Sequence, residues 1–119
     1  MDWKLDNGRP IWPQHSQQLT RRIIAGAYPP GSRLPSVREL AAEAGVNPNT
    51  MQRALAQLEQ EGLAKADRTA GRLVTRDTAI LETLRRQEAE AVIRNCLASV
   101  AELGYTREEA MALIKEELQ

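Results

Sequence analysis

The sequence predicts a mainly α-helical chain, a winged helix-turn-helix domain followed by a C-terminal two-helix hairpin. Three observations carry that prediction. Residues 31–62 hold two short helix patterns joined by a tight, glycine-containing turn. Two short strand-like runs around a second turn follow directly. From Thr78 onward the apolar spacing is purely helical. The expected organisation is an N-terminal arm over residues 1–9, the winged domain over 10–76 and a helical tail over 77–119.

Each element has its own local reason. The arm is polar and contains Trp3 and Leu5. Ile11, Leu19, Ile23, Ile24 and Ala27 recur at roughly helical spacing, which predicts a first helix from about residue 13 to 26. Gly26 and the run Tyr28-Pro29-Pro30-Gly31 break it, and Arg33 and Leu34 read as a short extended segment. Ser36 then opens the second helix with Glu39 three residues on, a capping box in which each side chain satisfies an orphan amide. Leu40, Ala41 and Ala44 form its apolar stripe, and Gly45 stops it where a left-handed residue is needed. Val46 re-enters the core, Asn47 caps the third helix and Pro48 takes its first turn, where a missing N–H is harmless. Met51, Ala54, Leu55 and Leu58 carry that helix to Gly62. Leu63–Ala66 and Leu73–Arg76 read as two strands around the turn Asp67–Arg72, the wing.

The outer face of the third helix suggests what the domain touches. Asn47, Asn49, Thr50, Gln52 and Arg53 crowd into its first turn and a half, opposite the apolar stripe. Asn and Gln pair bidentately with adenine, Arg with guanine, and a helix N-terminus attracts phosphate. The ordinary alternative is a solvated polar face. The preceding helix and turn favour the first reading, because the second helix of a helix-turn-helix is the one that enters a major groove.

These residues resemble the DNA-binding domain of GntR-family bacterial transcription regulators, whose pattern is approximately PG-x-x-LPS-x-R-x-LA-x-x-x-GV-N/S-x-x-TV-x-x-A-x-x-x-L-x-x-x-G. The chain matches at Pro30, Gly31, Leu34, Pro35, Ser36, Arg38, Leu40, Ala41, Gly45, Val46, Asn47, Thr50, Ala54, Leu58 and Gly62. Upstream, Pro10-Ile11-Trp12-Pro13-Gln14 is similar to the PIY-x-Q start of the family's first helix. The resemblance implies DNA contacts at Ser36, Arg38 and the start of the recognition helix. Asn49, Gln52 and Arg53 are then expected nearest base edges, and Arg38 and Arg72 on phosphates. The wing departs from the family's G-R-G-T-F-V. Gly71 falls on the second glycine, Thr69 and Ala70 replace the first glycine and the basic residue, and Arg72 stands where threonine is usual. A basic tip survives through Arg68 and Arg72, so Gly71 and Arg72 are expected at the DNA, the alternative being a solvated hairpin end.

The tail reads as a long helix marked by Leu81, Leu84, Ala89, Ile93, Leu97, Val100 and Leu103. Gly104 ends it, and Thr106 with Glu109 opens a short last helix carrying Met111, Leu113, Ile114 and Leu118. Two helices alone leave such stripes uncovered, whereas two copies bury them. A homodimer interface is therefore expected over Leu81, Leu84, Ile93, Leu97, Val100, Met111, Ile114 and Leu118, the alternative being a hairpin folded back on its own winged domain. A tail this short resembles that of the YtrA subfamily, which implies a dimerisation hairpin and repression from an inverted-repeat operator.

Composition bounds the rest. Basic and acidic residues balance at 16 each, yet residues 1–77 carry 11 basic against 8 acidic and residues 78–119 carry 5 against 8. The positive excess thus lies with the helix-turn-helix, as attraction to double-stranded DNA requires. No apolar run approaches the roughly 18 residues that span a membrane, and Met1-Asp2-Trp3-Lys4 does not begin a signal peptide. The single Cys96 fits a reducing cytoplasm. His15 is read as an exposed residue of the first helix. No cofactor, metal cluster, catalytic triad or phosphate-binding loop is expected, so an enzyme is excluded. No pattern specifies a small-molecule effector, and a tail this small leaves little room for a pocket within one chain. The competing function is a winged-helix protein-interaction module without sequence-specific DNA binding. Arg38 and Arg53 weigh against it, because a protein-binding face gains more from aromatic anchors.

Overall fold

The computed structural model describes Trp3, Gly8 and residues 11–119, with the backbone alone at Ile11. The element order is α1 (Ile11–Ile24), α2 (Val37–Ala44), α3 (Pro48–Gln60), β1 (Ala64–Asp67), β2 (Gly71–Val74), α4 (Thr78–Glu102) and α5 (Arg107–Glu117). The expected helices and wing are all present. The remainder of the arm, including Leu5, lies outside the described residues.

The local signals act as their chemistry requires. Ser36 Oγ accepts from the Glu39 amide at 3.1 Å while Glu39 Oε1 accepts from the Ser36 amide at 3.4 Å. Gly45 ends α2 at φ +70°, a conformation an L side chain rarely adopts, and its N–H reaches back to Ala41 and Ala42. Asn47 Oδ1 accepts from the Asn49 amide at 2.8 Å, and Pro48 follows in the first turn of α3. Helix α1 begins and ends about two residues earlier than its apolar spacing predicts, since Ala25 and Gly26 already turn the chain.

Behind these starts lies one apolar core. Leu19 and Ile23 of α1, Leu40 of α2, and Met51, Leu55 and Leu58 of α3 are fully or almost fully buried, with Leu34, Leu63 and Val74 closing it from the sheet side. Each such side chain contributes about 1.5–3 kcal/mol by leaving water. β1 and β2 pair antiparallel in the register Ala64↔Val74 to Asp67↔Gly71. The extended segment before α2 lies along the other edge of β2, through a bridge between Arg33 and Leu73 and the bond Leu34 N–H to Arg72 C=O at 2.8 Å. The wing is thereby tied to the entry of α2.

Two expectations need correction here. His15 is buried, its ring 4.9 Å from that of Trp3. Arg22 stacks its guanidinium 4.1 Å from the Trp3 ring centroid and donates to Tyr28 Oη at 3.0 Å and to Glu43 at 3.1 Å. The α1 face on which His15 and Arg22 lie is therefore roofed by Trp3 from the arm. Leu81 is the second correction. It is buried in the core of its own chain, with Ile80 and Leu84 packed beside it, so it does not belong to a surface offered to a partner. By its contacts the chain divides into two compact units between Arg85 and Arg86, within α4.

The second unit, residues 86–119, comprises the rest of α4 and α5. Thr106 and Glu109 form the expected capping box, at 3.0 and 3.2 Å. Ala110 is buried, whereas Ile93, Leu103, Met111 and Leu118 are each more than half exposed. A hollow of about 330 Å³ lies between the helices, walled by Leu97, Ala98, Ala101 and Ala110 and rimmed by Arg94, Tyr105 and Arg107. The hollow is open to solvent, since Arg94, Ala98, Ala101, Tyr105 and Arg107 are all exposed.

Candidate nucleic-acid interface

The site is built on the two capped helix starts. Pro48 and the Asn47 cap fix the first turn of α3, and the buried Met51, Ala54, Leu55 and Leu58 fix its rotation about its own axis. With that face in the core, Asn49, Gln52 and Arg53 are necessarily outward. All three are exposed, at i, i+3 and i+4 on one face, so their polar ends are available together. Thr50 is half-buried at the edge of this face. Asn47 is exposed, and while its Oδ1 accepts from the Asn49 amide its NH2 remains available to donate.

Helix α2 adds a second contact point. Arg38 is exposed in the first turn, one residue past Val37 and beside the Ser36 cap. The capping box uses the Ser36 and Glu39 amides, so the Val37 and Arg38 amides keep their partial positive charge at this end. A shallow groove of about 450 Å³ opens there, lined by residues 33–38 on one side and by Ala66, Asp67, Gly71 and Arg72 of the wing on the other.

The wing differs from expectation at one residue. Arg72 lies in β2 and its guanidinium is engaged by the Glu59 carboxylate of α3, with only 20 % of the side chain exposed. It is not a basic tip. Arg68 is exposed at the hairpin end, and Gly71, at φ +83°, makes the sharp return into β2. Asp67 Oδ1 accepts from the Thr69 and Ala70 amides at 2.9 and 3.0 Å and from Thr69 Oγ1 at 2.9 Å. The backbone bonds from Thr69 and Ala70, then the Thr69 hydroxyl, hold its carboxyl below the ordinary 3.8.

Sequence reasoning missed the Glu59–Arg72 pair and Arg33. Glu59 and Arg72 are 13 residues apart, and only the strand register brings them together. Arg33 is exposed, its Nε 3.8 Å from where a Cβ on Gly71 would stand. No described group of His, Cys, Asp and Glu could hold a metal ion, and no described helix is long and apolar enough to cross a membrane.

The pattern of a capped helix-turn-helix with a hairpin wing is one that comparison can place. The family model for bacterial regulatory proteins, gntR family, matches residues 14–74. The chain belongs to the GntR family. This GntR chain is 33% identical over 115 residues to YhcF of Bacillus subtilis, an HTH-type transcriptional regulator, covering 97% of this chain and 95% of YhcF. The HTH-type transcriptional repressor YtrA of the same organism is 41% identical over 66 residues, 56% of this chain and 51% of YtrA. Among solved structures, a GntR family transcriptional regulator from Listeria monocytogenes superposes with a TM-score of 0.83 at 34% identity, covering 94% of this chain and 98% of that one. The chain is thus a GntR-family transcriptional regulator with a winged helix DNA-binding domain, and its relatives are regulators, not enzymes.

Proposed function

We propose that this GntR-family chain is a repressor that binds an inverted-repeat operator in duplex DNA as a homodimer, in the cytoplasm. The observation that carries the reading is the outward face of Asn49, Gln52 and Arg53 on a helix whose rotation the core fixes. Those side chains read base edges in the major groove, Asn49 and Gln52 suiting adenine and Arg53 guanine. Arg38 and the amides at the α2 entry hold a backbone phosphate and set the register. Ser36 keeps that helix end in place.

The homodimer is supported by the tail. Ile93, Met111, Ile114 and Leu118 leave apolar surface in water, and Leu97 and Val100 are only half-buried. A second copy covers such faces through a two-fold axis, and two recognition helices so related read an inverted repeat. With Leu81 in its own core and Leu84 partly packed against it, the interface draws mainly on Ile93 and the residues after it. YtrA of Bacillus subtilis is a transcriptional repressor, and that role is carried to this chain on the likeness between the two. No effector is assigned.

A salt titration of binding to duplex DNA tests the reading. Affinity should fall steeply and log-linearly with salt, in proportion to the phosphates neutralised. Binding indifferent to salt would instead mark a protein-interaction module.

A further inference from the structure

We propose that Arg33, and not Arg72, supplies the phosphate contact beside the wing when the chain binds DNA; the inference rests on the DNA-binding reading above. Arg72 is the residue a wing sequence would nominate, but its guanidinium is folded onto Glu59 and mostly covered. Drawing it to a phosphate would strip Glu59 of its counter-charge and leave a half-buried carboxylate facing the DNA.

Arg33 has the opposite circumstances. Its backbone is bridged to Leu73 on the outer edge of β2, so it moves with the wing. Its side chain is exposed and lies along Gly71, where a side chain in place of hydrogen would come within 3.8 Å of Nε. Among the described residues no carboxylate pairs with it. It faces the same groove of about 450 Å³ as Arg38 and the α2 entry. The acid lining that groove is Asp67, whose charge is turned onto the Thr69 and Ala70 amides of its own turn. Two unpaired guanidiniums and the Val37 and Arg38 amides therefore dominate the groove, which suits one bridging phosphate of the backbone.

The Glu59–Arg72 pair then has a positioning role. It fastens β2 to the end of the recognition helix, and so holds Gly71 and Arg33 at a fixed distance from the bases that α3 reads.

Fluorescence anisotropy of the full chain on a bound duplex and an unrelated one, each over a range of salt, tests this. Arg33→Ala should flatten the salt slope by about one unit and weaken both duplexes about tenfold near 0.1 M salt. Arg33→Lys should restore the slope. Arg72→Met and Glu59→Gln should leave the slope unchanged while lowering affinity. The exchange Glu59→Arg with Arg72→Glu should recover that affinity, which a general loss of packing would not. If Arg33→Ala keeps the parental slope and Arg72→Met loses one unit, the assignment is reversed and the inference falls. A parent chain that binds duplex with no salt slope would overturn the DNA-binding reading itself, a result distinct from either variant's.

Discussion

At the residue scale, exposure and existing partners distinguish the residues proposed to read bases from those proposed to hold phosphates. Gln52 is exposed on α3 with no cap or pairing to maintain, so Gln52→Ala tests its proposed reading role without unfolding anything. It should cost about 1–3 kcal/mol on the preferred site and relax one base position, measured by binding to single-substitution duplexes. Arg38→Ala should behave otherwise, weakening all duplexes alike and reducing the salt slope by about one unit. A changed base preference with an intact slope would make Arg38 a reader. Asp67 adds a pH dependence. Its carboxyl is lowered by the bonds from Thr69 and Ala70, so the ordering of the wing turn is fully present above 3.8 and is lost as pH falls through the depressed value. Exchange protection of the Thr69 and Ala70 amides should decline over that acid range, and Asp67→Ala should abolish it at any pH. The cap at Asn47, the core face of α3 and its outward polar face were all legible from spacing. His15 was not, because its burial depends on Trp3, which lies in an arm with no periodic signal.

At the element scale, local and non-local signals differ in what they reveal. Caps are self-contained within four residues, and both capping boxes are present where the sequence placed them. Strand pairs carry no such local mark. The Glu59–Arg72 contact requires the register Ala66↔Arg72 and the angle of the wing on α3, and neither can be read from a linear pattern. Helix α4 shows the same limit. Its apolar positions recur from Leu81 to Leu103, yet Leu81 serves the core of the winged domain, Leu97 and Val100 are half-buried, and Ile93 and Leu103 are in water. Periodicity identifies an apolar face and is silent about what covers it. Leu81→Ala should therefore lower the stability of the winged domain by about 2–4 kcal/mol, seen in denaturant unfolding, without altering the association state. If the variant unfolded like the parent but dissociated, Leu81 would belong to the interface after all.

At the scale of the whole molecule, the division of charge and of apolar surface follows the division of labour. The basic excess and the outward polar face lie in residues 1–77, while the uncovered apolar side chains lie in the tail. A single winged domain with a net charge of only +3 over those residues gains little from phosphates alone. Two linked domains gain the second half-site at high effective concentration. Leu97→Glu, a charge placed in the apolar stripe of α4, should give monomers in sedimentation and a matching loss of operator affinity. A dimer that binds as tightly as the parent would remove the tail from the interface. The central claim is sequence-specific recognition by paired copies of α3, and selection of bound sites from random duplex DNA tests it most directly. The enriched sites should form an inverted repeat, with half-sites set by the two-fold axis and sensitive to Gln52→Ala. Enrichment of no sequence, or of a single asymmetric site, would contradict it.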